Sequence, residues 1–246
     1  MPLVAAAVCP HPPVIVPQLA AGAAAELDDL RAACAEAIAR LRAAGADALV
    51  VVGGATDTRP IAPPFRASFA PWGLALELGR AGETPEGELL PLSLAVGWWL
   101  LNRSAPGADS GTAAAFQAPV LQTVSADAPA AECRALGERL AGTAERVALL
   151  VMGDGSAERR ETPTGHEDPR ARPYDSAVAK ALAAADAEAL LALDPALSTE
   201  LRAAGRAAWQ VLAGAALASG PSWRGELLYD AAPYGVTYFV ASWRPA

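Results

Sequence analysis

Four short apolar runs, separated by helical stretches, punctuate the chain as far as Met152, and this alternation limits the fold more than any other feature. The runs are Leu3–Val8, Ala48–Val52, Pro119–Val124 and Arg146–Met152. A continuous apolar run of this length reads as a strand covered on both faces, the type found in parallel sheets. Between the first two, Ala21–Ala44 carries Leu27, Leu30, Cys34, Ile38 and Leu41 at intervals of three and four. That spacing is one apolar helix stripe, and Gly45 ends it. Leu89–Arg103 and Pro129–Ala144 read as further helices. Tyr174–Gly220 is expected to be helical with breaks near Asp194-Pro195 and Gly205, and Glu226–Tyr229 and Val236–Trp243 to close the chain as strands. The expected fold class is α/β, with a mostly parallel central sheet flanked by helices. No repeat or composition shift marks a boundary, so a single domain over residues 1–246 is expected. Pro60–Glu88 shows no clear period and is expected to be a hairpin or an irregular excursion. Gly153–Pro173 is expected to be a long, charged loop.

The composition removes several function classes. Hydrophobic residues make up 53% and charged residues 19%, which is the balance of a folded globular chain. Net charge is −8 and no basic patch stands out, which argues against nucleic acid and anionic membranes as partners. Leu92–Leu101 is apolar but far shorter than a membrane span. The N-terminus has neither the basic start nor the apolar length of a secretion signal. Cys9, Cys34 and Cys133 are odd in number and lack CxxC spacing, so neither a disulfide framework nor a structural zinc site is expected. The expectation is a cytoplasmic protein.

His11 is the residue that bears most on function. It stands in Cys9-Pro10-His11-Pro12-Pro13, directly after the first strand, where the prolines stiffen the backbone. Ligands of open α/β sheets bind outside the carboxyl ends of the strands. Two other strand ends carry Gly53-Gly54-Ala55-Thr56-Asp57 and Gly153-Asp154-Gly155-Ser156, and in one parallel sheet the three loops would converge. Glycine there lets backbone approach a ligand closely. His11 reads as a metal ligand, a general base or a cap for nearby backbone. Asp57 and Asp154 read as metal-binding carboxylates or as ordinary turn residues. His166, the other of the chain's two histidines, lies in the charged loop as an acid–base candidate or a surface residue. Cys9 has no histidine partner in a nucleophile motif.

Several blocks together carry a family likeness: Pro10-His11-Pro12-Pro13, Leu49–Val52 with its loop, Gly153-Asp154-Gly155-Ser156, Asp175–Gly214, and Pro233-Tyr234-Gly235-Val236-Thr237-Tyr238. In order and spacing the chain resembles the catalytic subunits of the class III extradiol ring-cleavage dioxygenases, and the related Memo-like proteins. The resemblance implies the fold of those catalytic subunits. It also implies non-haem Fe(II) held by two histidines and a glutamate, with a further histidine moving protons. His11 matches the first metal histidine. The second should follow strand two, where this chain has Gly53-Gly54-Ala55. The acid–base histidine should follow Gly-Asp-x-Ser, where this chain has Ala157. The carboxylate should lie near the C-terminal strands, where Asp230 and Glu226 are close in sequence.

Two histidines cannot supply three imidazoles. The expectation is therefore a dioxygenase-like protein that binds a small molecule or partner without extradiol cleavage and without a cofactor. Its substrate pocket would involve Gly53, Gly54, Asp57, Gly153, Asp154, Ser156 and Tyr234, with His11 and His166 as the catalytic candidates. A second reading is a divergent metal-dependent oxidoreductase or hydrolase, with Fe(II) or another divalent metal on His11, Asp57 and Asp154. A third is a Memo-like interaction module using Trp72, Trp98 and Trp99. Each is compatible with a homodimer.

Overall fold

In the first strand, β1 (Leu3–Cys9), Ala6 and Val8 join the core on one side of the sheet, while Ala5, Ala7 and Cys9 join the core on the other. A strand buried on both faces has no polar positions to alternate, which is why it reads as one apolar run. The computed structural model describes residues 2–78, 87–103, 119–159, 167–220 and 222–246. The remaining strands are β2 (Ala48–Ala55), β3 (Pro60–Ile61), β4 (Phe65–Ser68), β5 (Glu77–Leu78), β6 (Glu88–Leu89), β7 (Val120–Ser125), β8 (Val147–Met152), β9 (Trp223–Ala231) and β10 (Tyr238–Pro245). The helices are α1 (Pro17–Ala20), α2 (Asp28–Ala43), α3 (Leu92–Arg103), α4 (Ala130–Ala141), α5 (Ala171–Ala184), α6 (Ala187–Leu191), α7 (Pro195–Glu200) and α8 (Arg206–Ala218).

Seven strands form the main sheet in the order β3-β7-β2-β8-β1-β10-β9. The central four, β7, β2, β8 and β1, are parallel. The outer pairings, β3 with β7, β1 with β10 and β10 with β9, are antiparallel. The sheet is therefore mixed, and the expected mostly parallel character belongs to its centre. The last two strands arrive as a hairpin, which needs no crossover helix and so adds to the edge in the antiparallel sense. The helices α2 and α3 pack with one core, and α4, α5 and α8 with the other. No helix among the described residues is long and apolar enough to cross a membrane.

Local chemistry shifts the expected boundaries. The Ala-rich start of the first long helix contains a break at Ala21, φ +46°, and a 3-10 stretch over Ala21–Leu27 before α2 begins. Pro60–Glu88 holds β3 and a separate small sheet ordered β5-β4-β6. Asp186 and Asp194 cap α6 and α7 with side-chain oxygens that accept from Ala189 and Ala196 amides. Two glycines let α4 and α8 touch at backbone distance. A Cβ on Gly137 would lie 2.0 Å from the Val211 carbonyl oxygen, and one on Gly214 would lie 2.2 Å from that of Arg134.

β8 lies between β1 and β2, which precede it in the chain. Its carboxyl end is thus flanked on both sides by earlier strand ends, the topological arrangement that forms a crevice in open sheets.

Candidate functional site

Of the three strand ends expected to converge, those of β1 and β8 meet, while Gly53, Gly54 and Ala55, expected to form a loop, continue β2 in register with β7. Beyond β1 and β8 the pairing continues, with the Gly153 amide donating to the Cys9 carbonyl at 2.9 Å. The next residue, Asp154, turns its carboxylate back across the strand end. Its Oδ1 accepts from the backbone amide of His11 at 2.8 Å. The prolines on either side of His11 cannot donate, so this amide and its neighbours have few ways to be satisfied. Asp154 supplies one, and its own carbonyl accepts from the Gly205 amide at 2.8 Å. The imidazole lies against the same carboxylate, Nδ1 to Oδ1 3.8 Å, too long for a hydrogen bond. His11 and Asp154 are both nine-tenths buried. His11 Nδ1 is a buried polar atom without a hydrogen-bond partner among the described residues.

The glycines at these strand ends are filled by protein. A Cβ on Gly53 would lie 2.4 Å from Ser93 Oγ, and Ser93 in turn donates to the Gly54 carbonyl at 2.8 Å. A Cβ on Gly153 would lie 2.5 Å from Gly205 Cα and 2.9 Å from Trp209 Nε1. Gly155 faces Thr237, Asp175 and Phe239. These three positions, expected to leave room for a ligand, instead let helices α3 and α8 and the strand β10 close on the sheet. Gly54 is less enclosed, with the Ala204 carbonyl 3.4 Å from its Cβ position.

Ser156 is likewise committed. Its hydroxyl donates to Asp175 Oδ2 at 2.6 Å and its amide to Asp175 Oδ1 at 2.9 Å. Thr237 Oγ1 donates to the same Oδ2 at 2.6 Å, and Arg159 stands 3.9 Å away. Asp175 is only 2% exposed, so this carboxylate is a buried hub joining α5, the loop after β8 and the start of β10. Asp175, Thr237, Arg159 and Trp209 are not candidates on sequence grounds. The signal available for three of them, Asp175, Trp209 and Thr237, is their position inside the blocks that carry the family likeness.

Asp57 is not part of the cluster. It is exposed and accepts from Arg59 Nε at 2.7 Å, and Arg59 also pairs with Glu88. The expected metal set of His11, Asp57 and Asp154 is therefore not assembled, because Asp57 is drawn to a neighbouring guanidinium. Among the described residues no group of three or more His, Cys, Asp or Glu side chains is placed to hold a metal ion. Tyr234, in the hairpin loop between β9 and β10, donates to Glu26 Oε2 at 2.9 Å. Asp230 reaches the same sheet edge two strands from β1, and burial raises its carboxyl pKa against the opposing pull of Arg159. Glu226 lies further toward the opposite edge, bound to Arg40. His166 lies outside the described residues.

Behind His11, Cys9 and Cys34 are buried neighbours. Burial pushes the Cys34 thiol well above its usual range, and its contact with Cys9 adds to that. All three cysteines are free. Trp98 and Trp99 are buried, Trp98 edge-on to Phe65 at 5.1 Å and Trp99 beneath Arg103 at 5.0 Å. Trp72 is exposed, so the three tryptophans do not form one open surface.

No family model and no curated protein matches the chain. Among solved structures, it is similar to the crystal structure of uncharacterized protein JW3007 from Escherichia coli K12. The likeness has 14% identity and a TM-score of 0.45, and covers 98% of this chain and 99% of that one.

Proposed function

We propose that this chain has the fold of an extradiol dioxygenase catalytic subunit and binds a small polar molecule at the His11–Asp154 edge without cleaving aromatic rings. The observation that carries the reading is the packing at Gly53. The second iron histidine of the family would be placed there, and Ser93 stands 2.4 Å from the Cβ position. An imidazole could be restored only by moving α3. The donor set does not fit the family's iron, since His11 and Asp154 adjoin while Asp57 is held by Arg59. What remains is a rigid imidazole whose Nδ1 is buried and unpartnered, set against a carboxylate that His11's own amide holds in place. Such a nitrogen can accept from, or donate to, a hydroxyl or carbonyl of a bound molecule. The three buried free thiols agree with a reducing cytoplasm as its compartment.

The test is incubation of purified protein with ferrous iron, oxygen and either catechol or protocatechuate, read by the yellow ring-cleavage product. The expected result is no product above a protein-free control. Product formed at enzymic rates and lost in His11→Ala would overturn the proposal.

A further inference from the structure

The molecule's large described cavity lies away from His11. It has a volume of about 1020 Å³ and opens beside Val4 and Ala5, at the start of β1, whereas His11 follows the strand's end. Seven residues of extended chain separate the two regions by about 20 Å. Four guanidinium groups line this cavity, those of Arg40, Arg146, Arg224 and Arg244, against one carboxylate, Glu226. The chain as a whole has the opposite balance, with 27 acidic and 19 basic residues.

Arg40 is neutralised by Glu36 and Glu226, at 2.7 and 2.6 Å, but the placement of the other arginines is unfavourable unless something negative joins them. In the β9–β10 ladder Arg224 is directly opposite Arg244, so both side chains stand on one face. Like charges placed so are destabilising. Neither arginine makes a hydrogen bond or ion pair to a carboxylate among the described residues. Glu226 also feels Arg244, but Arg40 holds it through bonds of 2.6 and 3.4 Å. Arg146 donates to the carbonyls of Gly45 and Ala44 at 2.6 and 2.7 Å. Those bonds fix its guanidinium at the cavity wall and leave the charge unneutralised. Edge protection accounts for charge on an outer strand such as β9. It does not account for Arg244, which is on β10, one strand in, or for Arg146, which precedes β8.

We propose that this cavity is a second binding site, independent of the His11 edge, for a small molecule bearing a phosphate or pyrophosphate group. Two guanidinium forks on neighbouring strands suit one multivalent anionic centre, because a phosphate offers several oxygens to bidentate donors. The volume matches that of small-molecule sites, and Val4, Ala5, Ala43 and Pro245 supply apolar wall for an organic portion.

The test is calorimetric titration of the full chain with inorganic pyrophosphate at low and at 0.3 M salt, with sedimentation against phosphatidylcholine vesicles containing phosphatidic acid as a parallel arm. Arg224→Gln and Arg244→Gln should each weaken pyrophosphate binding at least tenfold, the pair should abolish it, and high salt should weaken it. Arg224→Glu should abolish binding while raising Tm, because it turns an opposed like-charge pair into an ion pair. Binding unchanged in the double variant, or no binding to the wild-type chain at millimolar pyrophosphate, would overturn the proposal. So would sedimentation with vesicles in the absence of pyrophosphate binding, or a lowered Tm in Arg224→Glu, which would make the pair structural.

Discussion

Asp175→Ala should destabilise the protein by about 4–6 kcal/mol, a large share of the 5–15 kcal/mol that holds a typical domain folded. The carboxylate accepts three hydrogen bonds, from the Ser156 amide at 2.9 Å and from the Ser156 and Thr237 hydroxyls at 2.6 Å each. Hydrogen bonds to a charged acceptor contribute roughly 1.5–3 kcal/mol each, and a buried donor left without a partner costs about 1–3 kcal/mol. The two hydroxyls can rotate toward other acceptors, but the Ser156 amide cannot, and with Ser156 fully buried water does not reach it. Relief of a buried charge offsets part of the loss, since Arg159 at 3.9 Å is its ion-pair partner among the described residues and is too distant to neutralise it fully. The assay is urea unfolding followed by tryptophan fluorescence, in which Trp209, packed on Gly153, reports on the same region. At about 3 kcal/mol/M, the upper urea sensitivity suited to a chain of this size, a loss of this size moves the midpoint by about 1.3–2 M. A double-mutant cycle with Ser156→Ala isolates the pair, with an expected coupling of about 1.5–3 kcal/mol. If Asp175→Ala costs less than about 1 kcal/mol, or the two substitutions add within about 0.5 kcal/mol, the buried hub does not hold the Gly153–Ser156 segment in place.

Two further substitutions test the packing. Burial raises the Tyr174 phenol to about 12, a shift only partly opposed by its bond to Ser198, so the folded state holds this proton more tightly than the unfolded chain does. Stability should therefore be unaffected by this group below about pH 10 and should fall by about 2–3 kcal/mol as pH rises from 10 to 12. Tyr174→Phe should flatten that fall while costing about 1 kcal/mol at pH 7 for the lost Ser198 bond, as measured by urea midpoints across pH. Gly137→Ala tests the crossing of α4 and α8. Helix propensity favours alanine by about 1 kcal/mol, yet the new Cβ would lie 2.0 Å from the Val211 carbonyl oxygen, and overpacking costs about 1–3 kcal/mol or more. The net effect should be destabilising, and a Tm equal to or above wild type would refute the contact.

The parts of this fold that were legible in the sequence are those whose environment is uniform along the chain. β1, β2, β7 and β8 are central and covered on both sides, so each appears as an apolar run whatever its neighbours are. At the edges less was legible: β3 is two residues long, and β9 and β10, though expected as strands, take their antiparallel place by pairing with β1, more than two hundred positions away in the chain. The site shows the same division. Prolines after β1 and glycines after β8 mark those strand ends, whereas Gly53 and Gly54, expected to open a loop, continue β2 as far as Ala55 in register with β7, and a glycine in a sequence does not say what fills the space it leaves. At Gly53 the filler is Ser93, and at Gly153 it is Trp209. Asp175 reads as an ordinary helical acid, because the residues that bury it lie 19 and 62 positions away. Converging strand ends bring many backbone donors into a dry region, and most of the polar residues here are consumed in satisfying them. Asp154 is spent on the His11 amide and Asp175 on Ser156 and Thr237. The imidazole of His11 is not spent in this way. Together with Trp209 Nε1 and Arg159 Nε, its Nδ1 is a buried polar atom left without a partner among the described residues, which Asp154 and Asp175 are not.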